Sequence, residues 1–284
     1  MCYIAIQIKK SQFQYTVIDY EDISDKIDYS HLKNIDLTKR LEDKIQTSIS
    51  RAKRTIIDYG LNNEFNYFVT ITFDDDKKCN SFDYDETKKK LLQSFNNFQK
   101  RKDKNFKYLI VPEIHDSGRI HFHGWFYTER DDLLKYMFYD KKTKHRVYRH
   151  ETFFEQFGAI TCVKINDYTL GAALYIVKYI SKDLGGIKLP FKQYYFASKG
   201  LKRSEVIYKS NQPGIDLEML LGNNFGILPN ADYQDFYCKM YRIDNDDLIR
   251  YIMQKNDFVA DLQELVGITK IKEKTSPYDF MESD

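Results

Sequence analysis

Only four cysteines occur in this 284-residue chain, and no two of them form a C-x-x-C pair. Cys2, Cys79, Cys162 and Cys238 are scattered singly, which excludes a disulfide framework and a zinc knuckle and fits a reducing cytoplasm. With five prolines and twelve glycines there is no Pro/Gly-rich linker, and we find no repeat or low-complexity tract. No apolar run approaches the ~20 residues that cross a bilayer, so no membrane partner is expected. The opening "MCYIAIQIKK" lacks the basic-then-apolar order of a secretory signal. A phosphate-cradling G-x-x-x-x-G-K-[ST] is missing, which argues against an ATP-driven motor. The lack of a G-x-S-x-G element argues against acyl transfer.

Aromatic residues and an uneven charge are what the chain has in quantity. It carries 23 Tyr and 20 Phe, with 30% charged residues, the composition of a globular chain able to bury a good core. The net charge of +2 hides an asymmetry. From Asp216 onward there are 7 Lys/Arg against 14 Asp/Glu; the first 215 residues hold 37 against 28. The basic residues cluster in "KKK" (88–90), "QKRKDKNFK" (99–107), "KKTKHRVYR" (141–149) and "SKGLKRS" (198–204). A basic body with an acidic tail fits a nucleic-acid partner.

Residues 3–8 and 12–18 read as an N-terminal hairpin. Leu37, Leu41, Ile45, Ile49, Ala52 and Ile56 recur at three- or four-residue steps, which predicts a helix over 37–57. "FNYFVTITF" (65–73) is a strand, and 85–101 is a basic amphipathic helix. "FKYLIVPEI" (106–114) and "IHFHGWFY" (120–127) are strands joined by the turn "HDSGR". An ill-defined helical stretch precedes the strand 159–165. A helix over 168–183 follows, capped by Asn166 or Asp167 and ended by Gly185-Gly186. This β-α-β-β-α-β-α order predicts an α+β fold, an RRM-like antiparallel sheet with helices mainly on one face. The break "NQPGID" (211–216) then sets off the remainder. The expected divisions are 1–64, a hairpin and helix packed on the core; 65–210, the core; and 211–284, an acidic, mostly helical extension.

Side chains alternate along a strand, so His121 and His123 share a face. With the turn centred on Ser117, Glu113 lies opposite His121 on that face. Two imidazoles and a carboxylate make a three-ligand metal site with open positions, suited in phosphate chemistry to Mg²⁺ or Mn²⁺. His115 shares the parity of Glu113 and is the rival third ligand. In "FVTITF", Thr70 and Thr72 face away from Val69, Ile71 and Phe73, toward the expected metal. Gly124 allows backbone to approach a ligand.

A second constellation lies in "YIVKYISK" (175–182). Wound at ~100° per residue, Tyr175, Lys178, Tyr179 and Lys182 fall in one arc. Ala173, Ile176, Val177, Ile180 and Leu184 lie opposite, so the apolar side packs on the sheet and the phenols and ammonium groups look outward. Tyr168 falls on the same arc at the helix start. A deprotonated phenol attacks phosphorus, and Lys neutralises charge that develops on phosphoryl oxygens.

Taken in order, "FVTITF", "E-x(7)-H-F-H-G" and "Y-I-V-K-Y-I-S-K" resemble the three motifs of HUH (His-hydrophobic-His) endonucleases. More narrowly, they resemble the two-tyrosine rolling-circle replication initiators of small single-stranded DNA phages and plasmids. The likeness covers roughly residues 65–203, and "SKGLKR" (198–203) also resembles a stretch of the phage initiators. It implies that His121 and His123, with Glu113, hold a divalent cation that polarises the scissile phosphate of a single-stranded or hairpin origin. Tyr175 or Tyr179 would attack, leaving a 5′-phosphotyrosine and a free 3′-OH. The second Tyr would perform the next transfer, with Lys178 and Lys182 orienting phosphate. A host helicase and polymerase would be needed. A transposase or relaxase with the same chemistry, or a non-catalytic nucleic-acid-binding module on the same sheet, are the alternative readings.

Overall fold

The computed structural model describes residues 6–10, 15–20, 37–77, 79–165, 170–182, 193–210, 233–234, 238–243 and 247–254. Asn166, Asp167, Tyr168, Leu184, the Gly185-Gly186 stop and the break at 211–216 lie outside them. The chain divides into two compact units: Lys10–Phe13 with Asp28–Glu205, and Met1–Lys9 with Gln14–Ile27 and Val206–Asp284.

The larger unit is α+β. Its elements are α1 (Leu37–Asn62), β3 (Tyr67–Phe73), α2 (Tyr84–Arg101), β4 (Lys107–Ile114), β5 (Ile120–Tyr127), β6 (Leu134–Asp140), β7 (His145–His150), α3 (Glu151–Phe157), β8 (Gly158–Lys164), α4 (Leu170–Lys182) and β9 (Phe196–Ala197). Its seven strands form one antiparallel sheet in the order β6-β7-β8-β3-β5-β4-β9. Where the sequence suggests an ill-defined helix before residue 159, the structure has the β6–β7 hairpin and the short α3. The run Tyr136-Met137-Phe138-Tyr139 is exposed on both sides of an edge strand, so it shows neither a helical nor a strand period.

One face of the sheet carries the main core. Tyr67, Val69, Ile71 and Phe73 of β3 alternate into it and meet Leu91, Phe95 and Phe98 of α2 and Phe153 and Phe157 of α3. Phe95 is the hub, with five ring partners at centroid distances of 4.7–6.2 Å. Such pairs add about 0.5–1.5 kcal/mol each beyond area burial. The Asp83 carboxylate accepts from the Glu86 amide at 3.0 Å to cap α2, and Lys100 and Arg101 sit at its negative end.

On the other face Leu109, Val111 and Trp125 are wholly buried, and α4 packs against β4 and β5 while α1 packs against α4. The "SKGLKR" stretch is tied to α1 and β4. Asn63 Nδ2 donates to Lys202 O and Asn63 Oδ1 accepts from Lys202 N, both at 2.8 Å. Asn62 Nδ2 donates to Ser204 Oγ at 2.8 Å, and Ser198 N donates to Tyr108 O at 3.0 Å. The guanidinium of Arg203 lies 5.0 Å from the Tyr59 ring centroid. The stretch therefore has a structural part: it clasps the end of α1 to the sheet.

The smaller unit contains β1 (Ile6–Lys10), β2 (Tyr15–Tyr20), β10 (Glu205–Ser210), β11 (Tyr233–Gln234) and β12 (Cys238–Ile243). These form a second sheet, β10-β1-β2-β12-β11. Ile8, Tyr241 and Ile243 pack with Leu248, Ile249 and Ile252 of the helix at 247–254. The N-terminal strands thus join a sheet with β10, β11 and β12 rather than the seven-stranded one, and the divisions at 64 and 210 cut across these units. Local periodicity shows that a strand exists but not its distant partner. No helix among the described residues is long and apolar enough to cross a membrane.

Candidate active site

β4, β5 and β3 bring the sequence-selected residues together. Glu113 is the Cα partner of His121, as the turn register predicts, and the turn closes with His115 N donating to Arg119 O at 2.9 Å. Across the next ladder Thr70 pairs with His123 and Thr72 with His121. The threonine face of β3 therefore borders the histidine face of β5.

His123 is buried and held on both edges. Its Nε2 lies 2.6 Å from Glu113 Oε2, and its Nδ1 lies 3.1 Å from Thr70 Oγ1. A ring that donates from Nε2 to the carboxylate and accepts at Nδ1 from the Thr70 hydroxyl satisfies both contacts. His121 is half-buried beside it, with centroids 6.3 Å apart. His115 stacks on the other side of His121 at 4.7 Å. Burial, then the neighbouring His115 and His123, push the His121 pKa below its ordinary value, against the pull of Glu113. A neutral imidazole with an available lone pair follows.

The helix contributes in the expected residues but with a different aspect. Ala173, Ile176, Val177 and Ile180 are buried, as their arc predicts. Tyr179, however, does not look away from the sheet: its ring lies on His123 with centroids 3.9 Å apart. Its hydroxyl donates to the Tyr175 hydroxyl at 2.9 Å. Tyr175 is 47% exposed, with its ring edge-on to Phe68 of β3 at 5.3 Å. A helical arc fixes which residues travel together, whereas the docking of α4 on β4 and β5 decides what they meet. Burial first, then the hydrogen bond to Tyr175 and the nearby Glu113 charge, raise the Tyr179 phenol well above the usual tyrosine range. Lys178 is exposed on α4; the Lys182 side chain lies outside the described ones.

The donor set of His121, His123 and Glu113 suits a divalent cation in type and in shared face. Among the described residues, though, no three His, Cys, Asp or Glu side chains stand poised around one metal position. The Glu113 carboxylate is engaged with His123 instead, so holding an ion requires that bond to open. Gly124 makes its close approach to protein rather than to a ligand. A Cβ there would fall 2.0 Å from Leu109 O and 2.8 Å from Ile110 Cα.

Two neighbours went unnoticed in the sequence. Arg119 shares the parity of His121 and His123, and its charge further lowers the His121 pKa. Its guanidinium lies 5.2 Å from the exposed Phe82 ring at the rim. Parity alone marks Arg119; Phe82 has no sequence signal.

Among the comparisons with known proteins, no curated protein and no solved structure matches this chain. Residues 66–184, which run from the start of β3 past the end of α4 and so hold every residue of this site, match a family described as "Replication-associated protein", of the ORF2 type.

Proposed function

We propose that this protein is a replication initiation endonuclease that cuts and rejoins single-stranded origin DNA through its tyrosines. The observation that carries the reading is the stacking of Tyr179 on His123, itself bonded to Glu113, within the replication-associated span. It joins a candidate nucleophile to a candidate ligand set for phosphate chemistry.

His121, His123 and Glu113 would hold Mg²⁺ or Mn²⁺, and a bound ion supplies Lewis-acid polarisation of phosphate oxygens. The chain's own residues do the rest. A tyrosine hydroxyl loses its proton and its oxygen attacks the scissile phosphorus; the bond from phosphorus to the 3′ oxygen breaks. That oxygen takes a proton and leaves as a 3′-OH, while the 5′-phosphate stays on the tyrosine. The hydrogen bond between the two phenols gives the departing proton a first acceptor in Tyr175 when Tyr179 is the attacker. A free 3′-OH then reverses the step and joins strands without ATP. Lys178 lies on the exposed side of α4, where it can neutralise phosphate; we assign Lys182 the same part. A host helicase would open the duplex and a polymerase would extend the 3′ end, in the cytoplasm of the host.

The test is covalent capture. A 3′-labelled origin strand incubated with the protein and Mn²⁺ should become attached to it, and chelation by EDTA should prevent this. Tight DNA binding with no adduct under any metal would replace this reading by the non-catalytic one.

A further inference from the structure

Four consecutive large side chains of β6, Tyr136, Met137, Phe138 and Tyr139, are 43–58% exposed. Burying them in the sheet would have been the ordinary outcome for such a run. They stand beside an unusual excess of charge. Lys141, Lys142, Lys144 and Arg146 are all exposed and make no ion pair among the described residues. The only acid of the hairpin, Asp140, is occupied with its own turn, accepting from Lys142 N at 2.8 Å and from the Thr143 hydroxyl at 2.9 Å.

The sheet connects this hairpin to the tyrosines. Phe68, whose ring meets Tyr175, pairs with Val163; Val163 pairs with Val147; Val147 pairs with Phe138. Partners across a ladder point to the same face, so one row runs from Tyr175 to Phe138. Beside it, Thr161 and Ala159, the partners of Thr70 and Thr72, are exposed on the same face. From β3 to β6 the row spans three strand spacings, about 14 Å.

We propose that the β6–β7 hairpin is a docking surface for single-stranded DNA, receiving the strand as it passes from the tyrosines across β8. Positive charge matches the phosphates. Exposed rings offer faces to unstacked bases, which a duplex keeps hidden. The proposal rests on the endonuclease reading and adds to it the surface that holds the flanking strand.

Anisotropy of labelled oligodeoxythymidine tests it, using one oligomer short enough to occupy only the tyrosine site and one long enough to reach β6. Phe138→Ala with Tyr139→Ala should weaken the long oligomer by about tenfold or more per ring and leave the short one unchanged. A variant with Ser at 141, 142, 144 and 146 should lower the slope of log affinity against log salt by up to about three. The second variant alters only exposed charges, so it carries the test should the first lose its fold. Wild-type affinity for the long oligomer in both variants overturns the docking surface. So would a change from dimer to monomer with DNA binding intact, which would assign the face to a second copy of the chain. If wild type binds neither oligomer, the endonuclease reading falls along with it.

Discussion

Tyr179 and His123 lie face to face, their ring planes 9° from parallel. The imidazole is thus fixed on three sides: by this stack, by Glu113 at Nε2 and by Thr70 at Nδ1. A phenol so placed cannot move without uncovering the histidine, which makes the helix and the sheet a single chemical unit.

Phe at 175 or 179 removes a hydroxyl and keeps the ring. We expect each single variant to retain some cleavage of single-stranded DNA but to lose efficient coupled cleavage and joining. The double variant should form no covalent adduct on a denaturing gel. Loss of every adduct in Tyr175→Phe together with wild-type behaviour of Tyr179→Phe would leave a one-tyrosine enzyme.

Glu113 should be needed for metal in preference to His115. Titration calorimetry with Mn²⁺ should show binding in wild type and in His115→Ala, and none in Glu113→Gln. The Gln variant keeps an acceptor for His123 and should fold normally. Glu113→Ala leaves that buried ring nitrogen unpaired and should cost about 1–3 kcal/mol in urea. The reverse pattern, with His115 essential and Glu113 dispensable, would exchange their roles.

Gly124→Ala should destabilise the protein by about 3 kcal/mol or more, because the new methyl meets backbone of β4 that no rotamer change can move aside. Gly200→Ala is the contrast. It has a φ of +81° but nothing within 4 Å, so only the backbone penalty of about 1 kcal/mol applies. Equal urea midpoints for the two variants would contradict this account.

His150 lies wholly buried beside Phe98 and Phe153 with no hydrogen bond from either ring nitrogen. Burial lowers its pKa to about 4. The unfolded chain takes a proton near pH 6.5 that the folded chain refuses until about pH 4. Its contribution is therefore full above pH 6.5 and is lost as pH falls toward 4, by an amount on the order of 3 kcal/mol. His150→Phe should flatten the melting temperature between pH 7 and 4.5. An unchanged acid slope would locate that sensitivity elsewhere.

Much of the site can be read from the sequence because it depends on short-range rules. Period-two alternation puts His121 with His123, and a turn centred on Ser117 sets Glu113 against His121. The 3.6 period separates Tyr175 and Tyr179 from Ile176 and Ile180. What escapes is what other segments impose. The Tyr179–His123 stack depends on where α4 settles, and the engagement of Glu113 depends on side-chain choice among neighbours. The β6–β7 hairpin breaks the usual pattern because its apolar residues are not buried. The sheet joining β2 to β12 leaves no local trace in either strand.

That last pairing bears on how the protein is made. Val17 sits opposite Tyr241, so β2 leaves the ribosome long before the strand that completes its sheet exists. The α+β unit is encoded almost entirely in between, and its strands can pair while β2 still presents an open edge. The first strands synthesised belong to one of the last sheets to close, and a message truncated before residue 238 would yield a chain whose β2 has no β12 to cover it.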